Sequence, residues 1–230
     1  MITKKMFGEL DSSNFNTASW AIWSNGFNKK DCIEGQEGQP KKYFIENISD
    51  LKNNVVFVGL NMSGNDENRN NDFICSMRNF HTVEHRGDGF LKDTLKSLPY
   101  LWGGYMTDIS NEIESDSKKV KVDIEKTRIQ FDKQLSIINS KNINIICFGG
   151  EVFNTIKKIV LKKREKIIPN QYGVRVIKEI YNGFNVNIFG VLHYCYIING
   201  RGNHRSNEFI SQLKFVNKEI KPESTHEKNT

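Results

Sequence analysis

The segment VVFVGLNMSG, residues 55–64, decides how the rest of the chain is read. Five of its first six side chains are apolar, and the run then breaks into Asn61-Met62-Ser63-Gly64. A short apolar run without polar alternation is what a strand covered on both faces looks like. Such a strand ends by delivering Asn61 and Ser63 to one edge of its sheet. Either this is an ordinary strand exit, or the strand holds polar groups over a pocket.

Three further runs share the pattern: GYMTDI (104–109), INIICFG (143–149) and VNIFGVL (186–192). Between and after them the apolar period changes to that of a helix. Ile124, Phe131, Leu135 and Ile138 form one stripe over about 123–140. Phe153, Ile156 and Val160 do the same over about 151–163, with Glu151 in the first turn, and Phe209, Leu213 and Val216 over about 206–220. Strands alternating with helices predict an α/β fold around a largely parallel sheet. SWAIWSNGF and the glycine-rich EGQEGQP, within the first 50 residues, are expected to form a layer packing on that sheet.

With 230 residues the chain has room for one large domain or at most two small ones; a single domain is expected over 1–220, while 221–230 (KPESTHEKNT) has no apolar residue and reads as a disordered tail. No apolar run approaches the roughly 18 residues that span a bilayer, so no membrane association is expected. The start, MITKKMFGELDSSNF, lacks a long apolar stretch, which predicts a cytoplasmic protein. Cys32, Cys75, Cys147 and Cys195 are not spaced as zinc or iron–sulfur ligands, so free thiols, no metal and no cofactor are expected. A net charge of +6 permits a polyanionic partner. Part of that charge lies in IKKIVLKKREK (156–166), a run that more often covers a solvated helix face than binds DNA.

Open α/β sheets bind ligands beyond the carboxyl ends of their strands. There the four runs present Asn61 and Ser63, then Thr107 and Asp108, then Gly149 and Gly150 before a helix, and finally His193. Each has a structural alternative: Asn61 as a turn residue, Asp108 as a helix cap, His193 as a packed histidine, the glycines as a close helix start. Their joint occurrence at one edge favours a site. No GxGxxG, P-loop or GxSxG motif is present, and NDEN (65–68) reads as a solvated loop rather than a metal cluster.

VGLNMSG, YMTDI, NIICFGGEVF and VLHYCYIINGRG, in that order, resemble the successive motifs of the uracil-DNA glycosylase superfamily. The similarity covers about residues 50–215. It implies a three-layer α/β/α fold with a central four-stranded parallel sheet, and hydrolysis of the N-glycosidic bond of a flipped-out base without metal or covalent intermediate. By the same resemblance Asn61 holds the attacking water and His193 donates to the base oxygen at position 2. Phe80, in RNFH, is the candidate ring stacking on the base, with a plain core aromatic as the alternative. Backbone amides near Ser63 and Gly150 are candidates for phosphate contacts. Arg201 and Arg205, in NGRGNHR, fall on or beside the loop entering the DNA groove, where Arg201 could instead form a surface salt bridge.

Two departures from the family pattern bear on the base. Uracil-specific relatives carry asparagine where Asp108 stands; a carboxylate cannot donate to the base oxygen at position 4, but it accepts from an amino group there. If protonated, it donates to ring N3. The motif proline is Met62, and the bulky tyrosine that blocks substituents at carbon 5 is replaced by Ser63. Together these predict a C5-substituted cytosine, hydroxymethylated or glucosylated as in some phage DNA, and a defensive role. The expected protein is a monomer whose partner is DNA. Uracil repair by the same machinery is the alternative, and a catalytically inactive DNA-binding module that keeps the fold is another.

Overall fold

The computed structural model describes residues 1–13, 18–23, 39–61, 79–81, 86–112, 114, 116–161, 165–197 and 203–222. Among these the chain forms α1 (Lys4–Ser12), β1 (Ser19–Trp20), α2 (Gln39–Glu46), β2 (Lys52–Gly59), α3 (Arg86–Lys96) and β3 (Gly104–Asp108). It continues with α4 (Ile124–Ile138), β4 (Asn142–Phe148), α5 (Gly150–Val160), β5 (Arg175–Tyr181), β6 (Phe184–Val191) and α6 (Asn203–Glu219).

The strands join in one mixed sheet of order β1-β3-β2-β4-β6-β5. Its middle four, β3, β2, β4 and β6, run parallel, and they are the four apolar runs of the sequence. The sheet nevertheless has six strands where four were expected, because an antiparallel strand is added at each edge. Ser19–Trp20 pairs with Met106 and Tyr105, so this part of the amino-terminal region extends the sheet rather than lying on it. At the other edge β5 folds back on β6 through the Asn182-Gly183 turn, both residues at positive φ, as a tight hairpin requires. Its sequence, RVIKEIY, is mostly half-buried or exposed, with only Ile177 buried, and carries a weaker signal than the buried runs.

Alternate side chains of each inner strand enter two separate cores. Val56, Val58, Ile143, Ile145, Val186 and Ile188 meet α1, α2, α4 and α5, including Phe7, Phe44, Phe131 and Phe153. Val55, Phe57, Ile146, Phe148, Phe189 and Val191 meet α3 and α6 through Leu91, Leu95, Phe209 and Leu213. Helices therefore cover both faces of the sheet, which is why the inner strands show no polar alternation.

Asp123 caps α4 by accepting from the amides of Glu125 and Lys126, and Asn139 ends it in the left-handed region. Ile124, assigned to the apolar stripe, sits in the first turn and is exposed; the buried face runs through Thr127, Phe131, Gln134, Leu135 and Ile138. Cys147 and Cys195 are free thiols, while Cys32 and Cys75 lie outside the described residues, as do 223–230 of the expected tail. No helix among the described residues is long and apolar enough to cross a membrane.

The contact between α5 and β6 is close enough to test. A Cβ on Gly190 would lie 2.6 Å from Phe153 Cδ2 and 2.8 Å from its Cγ. Gly190→Ala is expected to destabilise the fold by about 1–3 kcal/mol, as overpacked cores do. Denaturant unfolding should show a lower midpoint at unchanged slope.

Candidate functional site

The parallel register brings the carboxyl ends of the four inner strands to one level. Gly59 pairs with Asp108, and the ladder extends past the strands through Ile109 N–H to Gly59 O and Ser110 N–H to Leu60 O, both 3.0 Å. On the other side Phe148 pairs with Val191, and Gly149 N–H donates to Val191 O at 2.9 Å. Asn61, Asp108, Gly149, Gly150 and His193 therefore all stand at this edge.

Asp108 is its most unusual member. It is 5% exposed. Its Oδ2 accepts from Asn79 Nδ2 at 2.7 Å, while its Oδ1 is buried without a hydrogen-bond partner among the described residues. Burial, reinforced by the nearby charge of Asp88 and partly offset by the Asn79 bond, pushes its carboxyl up to about 8. The group is therefore largely protonated at neutral pH. Thr107, its neighbour, faces the other way and accepts from Gln134 Nε2 of α4 at 3.0 Å, a packing role.

Phe80 lies across the same spot. A Cβ on Gly59 would meet Asp108 Oδ1 at 2.2 Å and Phe80 Cζ at 3.1 Å, so the carboxyl and the ring share the space above that glycine. Phe80 has φ of 66°, a region a bulky residue enters only when its surroundings force it. They do: its N–H donates to Asn79 Oδ1 at 3.0 Å and its carbonyl accepts from Trp23 Nε1 at 3.2 Å. The ring sits 6.5 Å from Phe148 and 6.4 Å from Tyr194, centroid to centroid.

Tyr194 links this pair to His193. The His193 and Tyr194 rings stack at 4.9 Å and 15°, and the Tyr194 hydroxyl donates to the buried Asp88 at 3.3 Å. The proton stays on that hydroxyl, since burial and the nearby carboxyls raise it further. His193 Nδ1 accepts from Cys195 N–H at 3.1 Å, so the neutral ring carries its proton on Nε2 and presents that nitrogen as a donor. Gly149, at φ of 94°, leaves room beside it: a Cβ there would be 3.6 Å from His193 Cβ.

Asn61 is half-buried and donates its Nδ2 to Glu114 O at 2.7 Å, which fixes the orientation of the amide. Gly150 opens α5, whose first turn has no side-chain cap; a Cβ there would be 3.5 Å from Arg175 Nη2, and the Arg175 guanidinium lies 4.4 Å over the Phe153 ring. Arg205 is half-buried in the first turn of α6. Met62, Ser63 and Arg201 lie outside the described residues.

The structure thus brings Asp108, Phe80 and His193 together and sets Asn61 and Gly150 at the same edge. Sequence reasoning missed Gly59, Asn79, Asp88 and Tyr194. Gly59 was the legible one, because a glycine inside a buried strand marks a close approach. Burial pushes the Cys195 thiol up to about 12 and raises Cys147 as well, so neither is a thiolate at neutral pH. His81, also buried, is lowered to about 3 and stays neutral, its Nε2 at 2.9 Å from Trp20 O. No group of three or more His, Cys, Asp or Glu among the described residues is arranged to hold a metal ion. No protein-family model matches the chain, and comparison with curated proteins returns no match.

Asp108 makes stability depend on pH in a defined direction. Between the ordinary carboxylate value of 3.8 and about 8, the unfolded chain has released this proton while the folded one keeps it. Stability contributed by the protonated carboxyl is thus full below 3.8 and is lost as pH rises to about 8, at no more than about 1.4 kcal/mol per pH unit. Asp108→Asn should gain on the wild type steadily across that window and run parallel to it above. Unfolding curves at several pH values check this; a constant difference would mean that Asp108 ionises normally.

Proposed function

We propose that the protein is a monofunctional DNA glycosylase that hydrolyses the N-glycosidic bond of a flipped-out, C5-substituted cytosine. The observation that carries this reading is the buried, unpartnered Oδ1 of Asp108 beside the Phe80 ring, at the strand edge that also holds His193. A buried carboxyl without a partner is costly unless a ligand supplies one. A cytosine edge does so in either protonation state: the acid donates to N3, and the carboxylate accepts from the amino group at position 4. The four inner parallel strands between helices support the reading, being the arrangement that the resemblance to uracil-DNA glycosylases implies, with the two antiparallel strands as additions at the edges.

In this reading the base leaves the duplex, at a few kcal/mol, and stacks against Phe80. Water oxygen bonds to C1′ as the C1′–N bond breaks, and the bonding electrons go to the base. The products are an abasic sugar bearing the new hydroxyl and a base bearing one water hydrogen. His193 Nε2–H meets the negative charge developing on the base oxygen at position 2. Asn61, its amide held by the Glu114 carbonyl, orients the water through Oδ1. Gly150 at the uncapped start of α5, with Arg175 beside it, and Arg205 on α6 are the groups this reading assigns to backbone phosphates. By the sequence resemblance, Ser63 stands in place of the ring that blocks C5 substituents in uracil-specific relatives. A modification absent from the host's own DNA makes such an activity safe for the host and fits a role against phage.

One observation favours a second reading. A protonated Asp108 also donates to the oxygen at position 4 of uracil, so uracil repair by the same groups is the alternative.

Matched DNAs containing uracil, cytosine, or hydroxymethylated or glucosylated cytosine, incubated in EDTA, separate the two. Alkali-labile sites are expected in the modified-cytosine DNA only, and Asp108→Asn should lower that rate by roughly 10- to 100-fold, the value of one base-edge contact. Sites in uracil DNA alone would establish the repair reading instead. No sites in any DNA would remove the enzyme.

A further inference from the structure

We infer that Asn79 is a specificity-determining residue: it sets which atom of Asp108 faces the base and the hydrogen-bonding character of that atom. The inference rests on the glycosylase reading and follows from a chain of three fixed polarities. A backbone N–H can only donate, so the Phe80 amide, 3.0 Å from the Asn79 side chain, identifies the atom it meets as Oδ1. The Asn79 amide group is then turned with Nδ2 towards Asp108, where it donates to Oδ2 at 2.7 Å. A carboxylic acid accepts best through its carbonyl oxygen. Oδ2 is therefore the carbonyl oxygen, and the proton of the acid sits on Oδ1, the buried atom without a partner.

The same asparagine thus ties the stacking ring to the base-reading carboxyl. Its carbonyl holds Phe80 at φ of 66°, and its amide orients Asp108 over Gly59. Phe80 is clamped from the other side by Trp23 Nε1, so the ring has little freedom to follow if Asp108 turns. The consequence is directional. An amide introduced by Asp108→Asn must keep its oxygen towards Asn79 Nδ2, and so presents its NH2 group to the base. Like the acid's O–H it donates to cytosine N3 or uracil O4, but unlike that hydroxyl oxygen it has no lone pair to accept from the amino group of a cytosine.

The double variant Asn79→Asp with Asp108→Asn reverses the pair. The carboxylate at 79 still accepts from the Phe80 amide, and it now accepts from the amide introduced at 108 as well. The oxygen of that amide then faces the base and accepts from the cytosine amino group. Both variants keep the buried hydrogen bond, so both should fold.

The experiment measures kcat/KM for wild type, the single variant and the double variant on uracil DNA and on glucosylated-cytosine DNA. Asp108→Asn should move the preference towards uracil, and adding Asn79→Asp should return it towards cytosine by roughly tenfold or more, the weight of one base-edge contact. Equal preferences in the single and double variants would overturn the role of Asn79, since a merely structural residue does not reverse selectivity.

A second measurement does not depend on turnover: the titration of the Asp108 carboxyl, followed by carbon NMR, in wild type and Asn79→Ala. The titratable or charged groups facing Asp108 among the described residues are Asp88 of α3 and the Tyr194 hydroxyl, neither of which Asn79→Ala alters. The Asn79 bond favours the carboxylate, so its loss should raise the midpoint; an unmoved midpoint would overturn the inference. If no protein cleaves any DNA, the glycosylase reading fails, and this titration alone decides whether Asn79 orients Asp108.

Discussion

A side chain on Gly59 would reach within 2.2 Å of Asp108 Oδ1 and 3.1 Å of the Phe80 ring, so the pairing of Gly59 with Asp108 at the end of the sheet admits only glycine there. Parallel strands set neighbouring residues at a fixed spacing, and neither β2 nor β3 can withdraw without breaking the ladder that continues to Leu60 and Ser110. The space left by the missing Cβ is filled by one carboxyl oxygen and one ring edge. Several groups at the edge are arranged around that contact: Asn79 and Trp23 hold Phe80, Asn79 holds Asp108, and Tyr194 packs against both Phe80 and His193.

The electrostatics follow from burial. Asp88 and Asp108 are both largely out of water, and the charge of Asp88 acts on Asp108 to raise its carboxyl. Two carboxylates cannot both ionise cheaply in such a place, and a proton on Asp108 relieves them. The Tyr194 hydroxyl donates to Asp88 and keeps its own proton for the same reason. The edge therefore combines an acid that retains its proton, a histidine whose proton is directed to Nε2, and rings that exclude solvent. That combination suits the binding of a polar planar edge and the stabilisation of charge developing on it.

The middle of the fold was legible because its physics is local. Four apolar runs without alternation could only be strands covered on both faces, and the stripes Phe131-Leu135-Ile138 and Phe209-Leu213-Val216 could only be helices covering them. The edge strands were not legible in the same way. Ser19–Trp20 is two residues long, and β5 has a polar, half-exposed pattern. Both owe their conformation to the neighbour they pair with, which composition does not record. Ile124 continued the apolar period yet is exposed, because the first turn of α4 begins before the helix meets the sheet.

For the candidate site the division is similar. Sequence by itself determined which chemical groups stand at the carboxyl edge, since strand ends and the residues after them are fixed by chain order: Asp108 is the last residue of its strand, and Asn61, Gly150 and His193 each lie two residues beyond theirs. It also placed Phe80 among the aromatic candidates. Only the tertiary structure decided what those groups are. The protonation of Asp108 depends on burial and on Asp88, 20 residues earlier in the chain. Its orientation depends on Asn79, and the tautomer of His193 on a backbone amide two residues along. Desolvation and hydrogen-bond direction are properties of what surrounds a group in space, and no linear pattern carries them.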